Sequence, residues 1–192
     1  MAEKFAEQLA KSGGKVIELE DMGIESLKDL PVFPETVEEV SFMDNEILNP
    51  NDIVEILVPL PNLRALWLNG NPVVSACSNF DMIAELMPKL EIINSKLTNK
   101  AGEWALLFYG RSQGAKTLEE IETLDLNNKG VLYLQSTEVF EKMVNLKKLN
   151  LSGHKEFFMN SEQRKLQQLK EMEGLPDSEK QNVNFAAFHL DI

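Results

Sequence analysis

One short pattern recurs along this 192-residue chain and constrains what it can fold into more than anything else in it. In LRALWLNGNPV, residues 63 to 73, apolar side chains fall at positions one, four, six and eleven (Leu63, Leu66, Leu68, Val73), with Asn71 at position nine. The same grid lands on Val37, Val40, Phe42, Asn45 and Ile47, and more loosely on Ile17, Leu19, Met22 and Ile24. Downstream it returns at Leu90 and Ile93, at Ile121, Leu124, Leu126 and Val131, and at Leu146, Leu149 and Leu151. Counted from position one, the units start at 14, 37, 63, 90, 121 and 146, so successive steps are 23, 26, 27, 31 and 25 residues. A unit this small cannot bury its own apolar edge and must stack on a neighbour.

Most of these steps lie within the roughly 20 to 29 residues of a leucine-rich repeat. The expected fold is α/β: a leucine-rich-repeat solenoid with a parallel concave β-sheet and short convex helices. Positions one, four, six and eleven point inward, while two, three, five, seven and eight are left for the concave side. Three segments follow from the pattern. Residues 1–13, with Phe5 and Leu9 four apart and Gly13-Gly14 as a stop, read as an N-terminal capping helix. Residues 14–156 form the array, with a helical insertion near 100–110 where Trp104, Leu107 and Phe108 make an apolar face and Gly110 the stop. Residues 157–192 hold a polar helix over 161–174 and then NFAAFHLDI, which is either a repeat cut short in a longer chain or a closing strand. Short convex helices are expected over 52–58 and 80–87.

Little in the chain suggests chemistry. His154 and His189 have no Cys or carboxylate at metal-ligand spacing, Cys77 is the only cysteine, and Ser12-Gly13-Gly14-Lys15 lacks the strand and spaced glycine of a phosphate loop. No enzyme activity, cofactor or metal is expected. Acids outnumber bases 14 to 4 over residues 1–60 and 17 to 15 over 61–192, which concentrates the net charge of -12 at the N-terminal end. Such a field repels phosphate backbones and anionic lipid, so nucleic acid and membrane are not expected partners. A charged N-terminus without an apolar run, together with the lone cysteine, points to the cytoplasm, with nuclear or cytoskeletal association as the alternative.

What remains is recognition. Trp67, at position five, offers an aromatic anchor bordered by Met43, Ala65 and Ile92, with Asn69 also on this face and Glu18, Glu20, Glu39 and Asp44 as an acidic flank. This face suits a protein partner with a basic or amphipathic segment. The alternative is that a neighbouring side chain or the C-terminal segment covers Trp67. Asn45 and Asn71 read as structural, satisfying backbone groups at the turn after each strand.

LRALWLNGNPV, followed by FDMIAELMPKLEIIN, resembles the short repeats of the phosphatase-1 regulatory subunit and spliceosomal A-prime type. That resemblance implies a scaffold binding another protein along its concave face. In those families a stretch like Met87-Pro88-Lys89-Leu90-Glu91-Ile92-Ile93-Asn94 usually closes the array; here the pattern continues beyond it. MPKLEIINSKLTNKAGEWALLFYG also looks like the leucine-rich N-terminal region of tubulin-tyrosine-ligase-like proteins. That likeness implies a substrate-targeting or regulatory region of a larger enzyme.

Overall fold

The computed structural model of the chain describes residues 2–76, 80–130 and 138–153, all within the first of the two units into which the chain divides, Met1–His154. Cys77, Val131, His154, His189, the helix expected over 161–174 and the closing strand lie outside the described residues.

Helix α1 (Ala2–Ser12) opens the chain, with Glu3 in its first turn and Lys11 in its last, both complementing the helix dipole. It ends where Gly13 and Gly14 turn left-handed and the Gly14 amide donates to Leu9 O at 2.7 Å. Phe5 is buried edge-on against Phe33 at 5.2 Å, and Phe33 meets Phe42 at 6.1 Å, so a run of rings fastens the helix to the first repeats.

Strands β1 (Val16–Glu18), β2 (Glu39–Ser41), β3 (Ala65–Trp67) and β4 (Ile92–Ile93) then pair in parallel. Val16 stands opposite Glu39, Glu39 opposite Ala65, and Ala65 opposite Ile92, so residues at grid position three are partners in register. Between strands run α2 (Pro50–Ile56), α3 (Pro72–Ala76) and α4 (Phe80–Leu86). Helix α2 starts where the Asn49 side chain accepts from the Asn51 amide and Pro50 supplies the first turn.

The single continuous parallel sheet expected from the repeats is not what forms. Asn94 and Ser95, both left-handed at φ 50° and 62°, reverse the chain, and β5 (Lys96–Leu97) returns antiparallel to β4. Two consecutive left-handed residues make the tight turn whose twist suits a hairpin. Farther on, β6 (Thr123–Asp125) and β7 (Lys148–Asn150), with the short α6 (Glu138–Glu141) between them, form a separate two-stranded parallel sheet. The described residues are therefore a mixed α/β arrangement of parallel strands and several helices.

Two clusters form the core. Ile17, Leu19, Val40, Phe42, Leu66, Leu68, Leu90 and Ile93 fill the first, from positions one, four and six. The second takes Ala65 and Ile92 from position three, with Leu97, Leu106, Leu124 and Leu126. Successive strand residues face opposite sides, so β3 and β4 are covered on both. The cover is α5 (Glu103–Arg111). Its buried face is Ala105, Leu106 and Gly110; the expected stripe of Trp104, Leu107 and Phe108 is only half-buried. Gly110 does not stop the helix, which runs on to Arg111. A Cβ there would come 2.7 Å from Ile121 Cδ1, so Gly110 is small to admit that side chain.

Polar groups tie neighbouring repeats together. Asn71 Oδ1 accepts from the Ile47 amide at 3.0 Å, and its Nδ2 donates to Phe42 O at 2.7 Å and Leu68 O at 3.0 Å. At position two, Lys15 pairs with Glu38 at 2.8 Å, Arg64 with Glu91 at 2.6 Å, and Lys147 with Glu122 at 3.0 Å. Just before position one, Asn62 and Asn145 each donate to a carbonyl of the preceding repeat, Glu35 O and Glu119 O. Position eight is left-handed at Asp21, Asp44, Gly70, Asn128 and Gly153, which are the residue types that tolerate it. At Gly70 (φ 78°) an added Cβ would lie 3.0 Å from Asp44 Cα as well as against the Asp44 carboxylate. Gly70→Ala should therefore cost about 1–2 kcal/mol, from left-handed strain and this crowding. Urea unfolding checks it, and an unchanged midpoint would refute the crowding.

Candidate protein-interaction face

The face of the first sheet opposite its leucine-lined core is built from positions three, five and seven, and its two halves differ. Over β1 and β2, Glu18 and Glu20 are exposed, Glu39 and Met43 are half-buried, and Asp44 and Asn69 are exposed at the strand ends. The Ser41 hydroxyl donates to Glu20, holding that carboxylate across the strand pair. The Asp44 amide donates to Asn69 O at 2.8 Å, which fixes both strand ends. This half is acidic and open.

Over β3 and β4 the face is occupied by α5. Ala65 and Ile92, expected to be free for recognition, have no exposed surface, because both lie within the second core cluster; neither can contact a partner. Trp67 is half-buried: its Nε1 donates to Ser95 Oγ at 3.1 Å, and the Phe108 ring lies against it with centroids 5.6 Å apart. Of the two expectations for Trp67, a neighbouring side chain does lie over it. Phe108 in turn stacks on Trp104 at 5.6 Å, and the guanidinium groups of Arg64 and Arg111 sit 5.7 Å and 5.6 Å from the Trp104 ring.

Two carboxylates meet α5, and one of them, Glu91, seats its first turn. Glu91, buried at the start of β4, accepts from Arg64 Nη1 at 2.6 Å and, through its other oxygen, from the Gly102 amide at 2.8 Å and the Ala105 amide at 3.1 Å. Gly102 has no side chain with which to cap the helix, so Glu91 supplies the acceptor from 11 residues away. Glu39 pairs with Arg111 Nη1 at 3.2 Å. Burial pushes the Glu39 carboxyl above the ordinary glutamate range; Arg111 pulls it back, and Glu38 and Glu18 add repulsion. Burial also raises the Tyr109 hydroxyl, which donates to Ser95 O at 2.9 Å.

Sequence reasoning placed Glu18, Glu20, Glu39, Met43, Asp44, Trp67 and Asn69 on one face but missed Phe108, Arg111, Arg64 and Glu91. The available signal was Phe108 and Arg111 three apart on a helix, hence side by side. Among the described residues, no group of three or more His, Cys, Asp or Glu is arranged to hold a metal, and no helix is long and apolar enough to cross a membrane.

No protein-family model matches this sequence, and no curated protein matches it. Among solved structures, a chain in the crystal structure of the Drosophila melanogaster SNF/U2A′ complex is similar, with 20% sequence identity and a TM-score of 0.37. The match covers 46% of this chain and 65% of that one. A likeness this distant says nothing about partners.

Proposed function

We propose that this chain is a non-enzymatic leucine-rich-repeat scaffold, working in the cytoplasm, that binds a protein partner on the open half of its outward sheet face. The supporting observation is the row of exposed carboxylates, Glu18, Glu20 and Asp44, ranged around the half-buried Met43 over β1 and β2. Carboxylates around a polarizable side chain suit a basic or amphipathic segment, since charge steers encounter and the thioether supplies contact. Trp67, half-buried, stands at the border of this surface.

Charge reversal tests the reading. In affinity capture compared with the parent chain, Glu18→Lys combined with Glu20→Lys should lower partner retention about tenfold. Raised salt should weaken the parent complex, because exposed charges are screened beyond about 10 Å at 0.1 M. Full retention by the reversed variant would refute this site.

A further inference from the structure

We infer that helix α5 is a built-in competitor for the partner: Phe108 on Trp67 and Arg111 on Glu39 hold the places that an aromatic and a basic side chain of a partner helix would take. This rests on the proposed use of the sheet face as a binding surface. It adds the chemistry of the occupant and a reason why part of that surface is closed.

The two contacts come from one helical edge. Phe108 lies against Trp67 at 5.6 Å and Arg111 reaches Glu39 at 3.2 Å, and a spacing of three puts them side by side. The helix does not depend on either for its seat. Ala105 and Leu106 are fully buried on its other side, and Glu91 holds its first turn. Phe108 is half-buried and the Arg111 side chain is 45% exposed, so both can turn away about their own side-chain bonds while α5 stays docked.

What each would leave behind defines the replacement. Glu39 is partly desolvated, so once Arg111 leaves it needs another cation. The polar end of Trp67 is already bonded to Ser95, so only its ring face is on offer, and that face takes an apolar or aromatic group. A helical segment with an aromatic residue and an arginine or lysine three apart meets both demands. The exposed carboxylates of Glu18, on the neighbouring strand, and Glu20, just past its end, are there for further bases.

The probe is a fluorescent alanine-based helical peptide carrying Phe and Arg three positions apart, titrated against the full chain by anisotropy. Phe108→Ala with Arg111→Ala should bind it about tenfold more tightly than the parent. Adding Trp67→Ala and Glu39→Gln should abolish that gain, and a peptide with both side chains replaced by Ala should not bind. Far-ultraviolet dichroism and the urea midpoint check that the variants are folded, with Phe108→Leu and Arg111→Gln as the milder pair. Equal affinity for parent and vacated forms, lost on removing Trp67 and Glu39, would overturn the competition and leave the face standing. No binding to either form would overturn the assigned occupant, and the Glu18 and Glu20 reversal then judges the face separately.

Discussion

Asn45→Ala is expected to lower the stability of the folded chain by about 3–5 kcal/mol, seen as a fall in the urea midpoint at unchanged slope. The Asn45 side chain is buried between two repeats and serves groups in both. Its Oδ1 accepts from the Met22 amide at 2.9 Å and the Ile24 amide at 3.0 Å; its Nδ2 donates to Leu19 O at 2.7 Å and Phe42 O at 2.9 Å. Alanine would leave those backbone groups without partners away from water, at roughly 1–3 kcal/mol for each that stays unsatisfied. Asn45→Asp should be no milder. It keeps the acceptor but turns a carboxylate toward the three carbonyls of Leu19, Phe42 and Met43 in place of the donor. A loss below about 1 kcal/mol for the alanine variant would mean that water or a local shift replaces these bonds, and that the turn does not depend on the asparagine.

Glu91→Ala should cost a similar amount, about 3–5 kcal/mol, for an electrostatic reason. Its carboxylate joins Arg64, from the neighbouring strand, to the first amides of α5. Removal strands a partly buried guanidinium and uncaps the helix in one step. Glu91→Gln retains an acceptor and should cost about half as much. Both tryptophans of the chain, Trp67 and Trp104, adjoin or belong to this helix, so their emission should shift red if α5 loosens. A variant with parental stability and emission would show that α5 is seated by its apolar face alone.

The parts of this molecule that were legible in its residues are those set by period. Grid positions predicted register: Val16, Glu39, Ala65 and Ile92 do stand opposite one another, and so do Thr123 and Lys148. Asn45 and Asn71 could be assigned their turn duty because an amide is one of the few side chains that both donates and accepts there. The hairpin at Asn94 and Ser95 was not legible, since a left-handed serine carries no compositional mark as glycine does. Helix α5 was misread because it carries two apolar stripes. Trp104 and Phe108 make the bulkier one, yet Ala105 and Leu106 are the residues buried, in the cluster that also holds Ile92. The ion pair between Glu39 and Arg111 spans 72 residues, a distance over which no local pattern reports. For the same reason Ile92 looked free: its cover comes from a segment that only the hairpin brings back.

The charges at the second grid position run Lys15, Glu38, Arg64, Glu91 across the first sheet, so their sign flips at every step. That alternation gives the array a parity. Duplicating one unit would set two like charges side by side at the new junction, whereas duplicating an adjacent pair would keep opposites next to each other throughout. Lengthening this protein two units at a time is thus the route its electrostatics leave open.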